Sequence, residues 1–230
     1  MTDINTMTVL VTGGSSGLGA AVVDAVLKAG GRPYVIDRQP PADGVPWVEC
    51  DLADTRAAEA ATREVIAQAG VLTGVVTAAG MDVPGALADV PGETWDRIVT
   101  IDLLATAAVV RAACPALTKS HGTVVTIAST LGMKAVSDAS AYCAAKFGVV
   151  GFTRALSAEL AGQVGVTLVI PGGMRTKFFD NRDERYKPGP DAILTDPANV
   201  AGAIMFALNQ PAGCVVRELV IAAETETSYP

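Results

Sequence analysis

A short apolar strand that runs through a glycine-rich turn into a helix is the feature that most constrains this fold. The strand is predicted at 8–12, and the turn at 12–19 carries the spacing Gly-x-x-x-Gly-x-Gly. The N-terminus of a helix presents unpaired N–H groups and a positive dipole end, so it can bind an anion. Glycines there allow a tight turn and close approach of a pyrophosphate. The segment therefore favours a dinucleotide site, although small residues also serve in ordinary turns.

Predicted strands and helices alternate along the rest of the chain. The strands are predicted at 8–12, 33–37, 46–50, 72–78, 123–128, 165–170 and 214–221. The helices are predicted at 17–29, 55–69, 92–113, 140–161 and 197–208. This alternation predicts an α/β fold with a Rossmann-like, doubly wound parallel sheet of about seven strands and helices on both faces.

The organisation of the chain is simple. Neither an internal repeat nor a linker divides it, so residues 1–230 are predicted to form a single domain. Residues 38–45, between the second and third strands, include Pro40, Pro41 and Gly44. This segment is too short and irregular for a crossover helix and predicts a loop.

Composition restricts the partners. The net charge of −7 argues against nucleic acid and anionic membranes as main partners. We find no stretch that looks long and apolar enough to span a bilayer, and residues 1–6 lack the regions of a signal peptide. A cytoplasmic protein is therefore expected. The four cysteines show neither metal-ligand nor redox spacing, so we expect reduced thiols and no metal site.

Three polar residues in the second half of the chain suggest chemistry. Tyr142 and Lys146 are four residues apart on a predicted helix, so their polar ends lie on one face. Ser129 follows a predicted strand, at the edge where α/β proteins bind ligands. A phenol, an ammonium and a hydroxyl beside a nucleotide site indicate proton transfer coupled to hydride transfer. Tyrosine and lysine also occur at this spacing by chance, so the pair gains meaning from the turn at 12–19.

Together these segments resemble the short-chain dehydrogenase/reductase family. The resemblance covers roughly residues 7–222 and rests on the turn at 12–19, on Ser129, on Tyr142 with Lys146, and on Asp51-Leu52, 78–80 and 171–176, all in the same order. It implies an NAD(P)-dependent oxidoreductase that interconverts a secondary alcohol and a ketone, both small molecules. It also implies a homotetramer or homodimer formed through the helices at 92–113 and 140–161.

The chemistry assigns a role to each catalytic candidate. A free tyrosine, with a pKa of about 10, is a poor base at neutral pH. Lys146 and the positive nicotinamide ring would lower the pKa of Tyr142, and Lys146 would also hold the nicotinamide ribose. Ser129 would position the substrate oxygen. In the reverse direction Tyr142 would donate a proton to the carbonyl.

The resemblance also assigns the cofactor contacts. They fall on Gly13, Ser15, Ser16, Gly17, Leu18, Gly19, Asp37, Arg38, Asp51, Leu52, Ala79, Gly80, Tyr142, Lys146, Pro171, Gly172 and Thr176. Asp51 is expected at the adenine amino group, Leu52 to offer a backbone contact, and Thr176 near the carboxamide.

Two neighbouring residues bear on the choice of nucleotide. The Asp37 carboxylate can accept hydrogen bonds from both adenosine-ribose hydroxyls and would repel the extra phosphate of NADP. An ordinary strand-terminal aspartate in a turn is the alternative. Arg38 could instead pair with that phosphate or stack on adenine. We therefore expect NAD, with NADP the less favoured cofactor.

Two departures from the family pattern stand out. The family usually has asparagine where this chain has Asp102, and its role as a proton relay or as a structural residue stays open. Alanines and glycine occupy 78–80, where the family more often shows asparagine, which affects strand bracing more than chemistry.

The substrate end of the site is the least defined. Residues 177–195 form the predicted lid, whose mixed charges favour a solvated, mobile segment over a site for an anionic substrate. An apolar pocket could be lined by Met81, Met133, Met174, Phe178 and Phe179. An apolar or acyl-thioester-like substrate fits this composition.

Two alternatives to an NAD-dependent alcohol dehydrogenase stay open: an NADPH-dependent ketone reductase and a non-catalytic, NAD-sensing scaffold. The polar tail at 224–230 could fray or reach a neighbouring subunit.

Overall fold

The strands form one parallel sheet in the order β3-β2-β1-β4-β5-β6-β7. The computed structural model describes residues 7–229. Its strands are β1 (Thr8–Thr12), β2 (Arg32–Asp37), β3 (Trp47–Glu49), β4 (Gly74–Thr77), β5 (Thr123–Ile127), β6 (Gly165–Pro171) and β7 (Glu218–Ile221). The order reverses between β1 and β4, which opens a crevice at the carboxyl ends of these strands. The predicted α/β, doubly wound sheet in a single domain is confirmed.

Helices cover both faces of the sheet. They are α1 (Gly17–Lys28), α2 (Thr55–Ala69), α3 (Gly92–Val99), α4 (Ala105–Ser120), α5 (Ser140–Glu159) and α6 (Pro197–Leu208). Successive side chains of a strand point to opposite faces. Accordingly, Leu10 of β1 belongs to the apolar cluster with α2 and α4, whereas Val9 and Val11 belong to the cluster with α1 and α6. The uninterrupted apolar character of β1 therefore reflects burial on both faces.

The helix predicted at 92–113 continues to Ser120. A π-helical turn, Thr100–Leu104, joins α3 to α4, and Pro115 lies inside α4. Proline removes one helical hydrogen bond and predicts a helix end, but Ala113 and Leu117 on either side of it are fully buried. Packing of these buried side chains therefore stabilises the helix beyond the proline. It ends at His121, which adopts the left-handed conformation with a φ of 50°.

The strand ends differ slightly from prediction. β7 was expected from residue 214, but its pairing with β6 starts only where Leu168 meets Glu218. Residues 38–45 contain no helix, so the predicted loop between β2 and β3 is confirmed.

One helix corrects an expectation from composition. The continuous helix Gly92–Ser120 has 29 residues and a mean hydropathy of 1.6 over its most apolar window, which is sufficient to cross a membrane by length and composition. The expectation that no stretch reaches this threshold is wrong. Half of that window is buried within the fold, and the helix packs against α2 and α5. The apolar side chains of this helix therefore contribute to the hydrophobic core.

Candidate active site

A cavity of about 1110 Å³ opens at the carboxyl ends of the central strands. Most of the predicted site residues line it: Gly13, Ser16, Gly17, Leu18, Asp37, Arg38, Asp51, Leu52, Ala79, Gly80, Ser129, Tyr142, Lys146, Pro171, Gly172 and Thr176. Three predicted residues, Ser15, Gly19 and Asp102, are not among the lining residues.

The glycine-rich turn is shaped by close backbone approaches. Gly13 has a φ of 69°, and a Cβ atom there would lie 2.7 Å from Cα of Ala79. A Cβ atom on Gly19 would lie 2.1 Å from the carbonyl oxygen of Gly13. Helix α1 begins at Gly17, and its N-cap residue Ser16 makes no side-chain capping bond. The first N–H groups of α1 are therefore left for an anionic ligand, so the turn fits a pyrophosphate.

Asp37 is fixed by the backbone around it. Its Oδ2 accepts a hydrogen bond from Ser15 N (3.0 Å), and its Oδ1 accepts from Arg38 N (2.6 Å) and Gln39 N (3.2 Å). The carboxylate thus braces the turn, which is the ordinary role considered above. It also lines the cavity, and each oxygen can accept further hydrogen bonds. Both roles are compatible in one residue.

An arginine that the sequence did not single out lies at the adenosine end. Arg97 of α3 donates to both carboxylate oxygens of Asp51, at 3.1 and 2.8 Å. These hydrogen bonds hold the pKa of Asp51 below its usual value. Arg97 also lines the cavity. The Asp51 carboxylate would therefore bind the Arg97 guanidinium and adenine at the same time.

The three predicted catalytic residues converge. Lys146 is 4% exposed, its Nζ donates to the carbonyl oxygen of Ile127 (3.1 Å), and it lies 5.5 Å from the ring centre of Tyr142. Ser129 Oγ accepts a hydrogen bond from Leu131 N (3.1 Å). Burial raises the pKa of Tyr142 and the charge of Asp102 raises it further, whereas the Ser129 hydroxyl lowers it. At neutral pH these groups keep Tyr142 protonated, in the state that can donate to a carbonyl.

Asp102 forms a buried ion pair behind the cavity. It lies in the π-helical turn, a feature that often marks functional positions, and is 1% exposed. Its Oδ1 accepts from Met81 N (2.8 Å), and its Oδ2 lies 3.4 Å from Lys146 Nζ. Burial raises the pKa of Asp102 to about 6, partly opposed by Lys146. Gly80 lies against the pair, since a Cβ there would lie at contact distance, 3.4 Å from Asp102 Oδ2 and 3.6 Å from Lys146 Nζ.

The lid, residues 177–195, is folded against the cavity. Phe178, Phe179, Met174 and Met81 line it as expected. Met133 does not, because it packs instead on the cluster of Ala128, Val149, Val150, Leu168 and Ile170. Most charged lid residues are exposed, as expected: Lys177, Asp180, Asp183, Glu184, Arg185 and Asp191. Arg182 is the exception, because its side chain is largely buried.

The C-terminal strap, residues 225–228, forms another wall of the cavity. Glu226 accepts hydrogen bonds from Gly173 N (3.1 Å) and Ser228 N (3.0 Å), and Ser228 Oγ lies 2.6 Å from Thr130 Oγ1. Burial acts to raise the pKa of Glu226, but these bonds hold it below its usual value. The strap therefore folds back onto the cavity of its own chain and is not frayed there. Residue 230 lies outside the described residues.

Comparisons with known proteins agree with this geometry. A family model described as short chain dehydrogenase matches residues 7–187. The 3-oxoacyl-[acyl-carrier-protein] reductase MabA of Mycobacterium avium is 30% identical over 92% of this chain and 86% of its own. Cis-2,3-dihydrobiphenyl-2,3-diol dehydrogenase of Pseudomonas sp. strain KKS102 is 35% identical over 76% and 68%.

A solved structure extends the match to the fold. The 3-ketoacyl-(acyl-carrier-protein) reductase of Brucella melitensis, complexed with NADH, superposes with a TM-score of 0.86 at 22% identity, covering 96% of this chain and 98% of that chain. At this identity the match supports the fold alone. With the family model and the relatives above, it shows that this chain belongs to the short-chain dehydrogenase/reductase family of NAD(P)(H)-dependent oxidoreductases.

Proposed function

We propose that this protein interconverts a secondary alcohol and a ketone with NAD(H), and that Tyr142 is the general acid and base. The observation that carries the proposal is the convergence of Ser129, Tyr142 and Lys146 in the cavity that begins at the glycine-rich turn. A phenol can transfer a proton to or from a substrate oxygen, and a nearby ammonium stabilises its phenolate.

The residues at the turn and beyond fit a nicotinamide nucleotide. The free N–H groups at the start of α1 would bind the pyrophosphate, and Asp37 would bind the adenosine ribose. Lys146 would hold the second ribose, and 171–176 would support the nicotinamide. When bound, the nicotinamide supplies the hydride acceptor or donor.

The remaining chemistry belongs to the side chains. Ser129 donates to the substrate oxygen and fixes its distance to Tyr142. Tyr142 removes the hydroxyl proton during oxidation and returns it to the carbonyl oxygen during reduction. Lys146, whose Nζ lies 5.5 Å from the ring centre of Tyr142, would stabilise the phenolate through its positive charge.

The cavity walls favour an apolar or acyl-thioester-like substrate. Phe178, Phe179 and Met174 supply apolar surface, and the charges of Arg182 and Glu226 are already engaged by partners within the chain. The Mycobacterium avium relative, a 3-oxoacyl-[acyl-carrier-protein] reductase, is consistent with a thioester substrate. The first test is a panel containing cyclohexanol, 2-butanol and 3-hydroxybutyryl-N-acetylcysteamine, assayed with NAD and with NADP. An inert panel with intact NADH binding would favour the NAD-sensing scaffold.

We expect NADH to bind at least about tenfold more tightly than NADPH, because the Asp37 carboxylate repels the additional phosphate. Asp37→Asn removes the charge and keeps one oxygen acceptor, Oδ1, for the N–H groups of Arg38 and Gln39, while the bond from Ser15 N to Oδ2 is lost. The variant should therefore reduce the preference for NADH over NADPH to about threefold or less. Calorimetric titration with both reduced nucleotides measures the two affinities.

A matched control for this experiment lies in the next loop. Asp43 is exposed and does not line the cavity, so Asp43→Asn should leave both affinities unchanged. A wild-type preference for NADPH would contradict the assignment. It would mean that Arg38 dominates, and would support the NADPH-dependent ketone reductase.

Asp102→Asn should shift the acid limb of alcohol oxidation, where activity rises as Tyr142 loses its proton, to lower pH by about one unit. The reason is that the Asp102 charge raises the pKa of Tyr142, and asparagine removes that charge. The pH dependence of kcat/KM measures the limb, and Asp43→Asn serves again as the control. If the limb stays in place while activity falls, Asp102 acts through structure and not through its charge.

Location and assembly complete the proposal. We propose a cytoplasmic homotetramer or homodimer assembled through α4 and α5. Leu104, just before α4, and Phe147 of α5 are both almost half exposed, at 49% and 45%, and would be covered by such an interface.

A further inference from the structure

The lid is anchored by a buried ion pair that sequence analysis did not identify. Arg182 donates to Asp82 Oδ2 at 2.7 Å, and the two side chains are 14% and 3% exposed. Asp82 follows directly on Met81, whose N–H holds Asp102. The pair therefore joins the lid to the segment after β4 that also supports the catalytic lysine.

Arg182 also organises the aromatic wall of the cavity. Its guanidinium carbon lies 4.9 Å from the ring centre of Phe178 and 4.7 Å from that of Phe179. Phe178 in turn lies against Tyr142, with ring centres 5.8 Å apart and an interplanar angle of 54°. A planar guanidinium can stack on aromatic rings and bind a carboxylate at the same time, which an ammonium does poorly.

We propose that the Arg182–Asp82 pair is a positioning device for Tyr142, which clamps the lid shut and holds Phe178 against the catalytic ring. The inference rests on the proposed function, because it assumes that Tyr142 is the acid and base. Arg182 and Asp82 act through Phe178 and through their charges and do not themselves contact the reacting atoms.

The charges of the pair act on Tyr142 in opposite directions. Asp82 raises the pKa of Tyr142 and Arg182 lowers it, in addition to the effects of burial, Asp102 and the Ser129 hydroxyl. Lys146 also faces the ring. Because the two members of the pair have opposite signs, the intact pair closes the site with little net effect on the phenol.

The first experiment compares pH profiles of kcat/KM for alcohol oxidation, using the most active alcohol of the panel. Arg182→Gln should move the acid limb, where activity rises as Tyr142 loses its proton, up by about half a pH unit, and Asp82→Asn should move it down by a similar amount. The double variant should return the limb close to the wild-type position. KM should rise about tenfold in all three, because each opens the lid.

The second experiment needs no catalytic activity. Trypsin can cut the lid after Lys177, Arg182 and Arg185, although not after Lys187, which precedes Pro188, so limited digestion reports the opening of the lid. Asp82→Asn keeps all of these cleavage sites and should be cut in the lid at least about fivefold faster than wild type. Arg182→Lys keeps the charge but loses the planar stacking, so it should be cut faster while its acid limb stays in place.

The exposed lid pair of Lys187 and Glu184 provides matched controls. Lys187→Gln and Glu184→Gln remove one cation or one carboxylate from the same segment. Lys187→Gln should leave the pH profile unchanged, and Glu184→Gln should leave both the profile and the cleavage rate unchanged. If Asp82→Asn is cut no faster than Glu184→Gln, the clamp is wrong.

The outcomes separate the two proposals. A wild-type enzyme that is inert on the panel refutes the proposed function, while faster cleavage of Asp82→Asn would still support the clamp. An active wild type whose two single variants shift the limb in the same direction, or not at all, refutes the positioning role and leaves the proposed function intact.

Discussion

Tyr142→Phe is expected to lower kcat by about a thousandfold, since general acid–base catalysis contributes about 10²–10⁴-fold. The substitution removes only the hydroxyl, and the ring can keep its contact with Phe178. Affinity for NADH should stay within about twofold of the wild-type value. Turnover of the most active panel alcohol and calorimetric titration with NADH measure the two quantities on the same preparation.

The control is a tyrosine outside the cavity. Tyr34 of β2 accepts a hydrogen bond from Arg32 at 2.7 Å, and Tyr34→Phe removes the same atom. It should cost about 1 kcal/mol of the free energy of unfolding and leave kcat unchanged. Substantial activity in Tyr142→Phe would exclude this residue as the acid and base.

Gly19→Ala should lower the affinity for NADH about a hundredfold, the scale expected when binding groups are displaced by about 1 Å. The added Cβ would lie 2.1 Å from the Gly13 carbonyl oxygen, which belongs to the backbone and cannot rotate away. The turn must therefore move. The free energy of unfolding should also fall by about 1–3 kcal/mol, as in overpacked sites.

Another helical glycine supplies the comparison. Gly202 lies within α6, and nothing lies within 4 Å of a Cβ added there. Gly202→Ala should raise the free energy of unfolding by about 0.5–1 kcal/mol and leave NADH binding unchanged. Denaturant unfolding and calorimetry measure both variants. Wild-type affinity in Gly19→Ala would mean that the turn does not hold the pyrophosphate.

The features that the sequence predicted correctly are those encoded over short spans. Strand β1, the glycine-rich turn and the start of α1 follow one another without interruption, so local patterns define all three. Tyr142 and Lys146 are one helical turn apart, and Ser129 marks the end of β5. Since parallel strands all end at one edge of a sheet, the fold class itself brings these segments together.

The continuous helix Gly92–Ser120 shows where local patterns fail. A proline predicts a break, but Ala113 and Leu117 lose more by leaving the core than the missing hydrogen bond costs. The π-helical turn that directs Asp102 towards Lys146 has no signature in the residues Thr100–Leu104.

The tertiary structure alone decided which charges meet. Arg97 and Asp51 are 46 positions apart, Arg182 and Asp82 are 100 apart, and the strap reaches Thr130 across 98 positions. In the sequence alone, each of these side chains is indistinguishable from an ordinary solvated residue, because a charge by itself does not specify its partner. The sequence determined the chemistry of the site through local periodicity and turn residues. The tertiary structure determined which side chains form the walls of the cavity, because loops from distant strand ends meet only at the edge of the completed sheet.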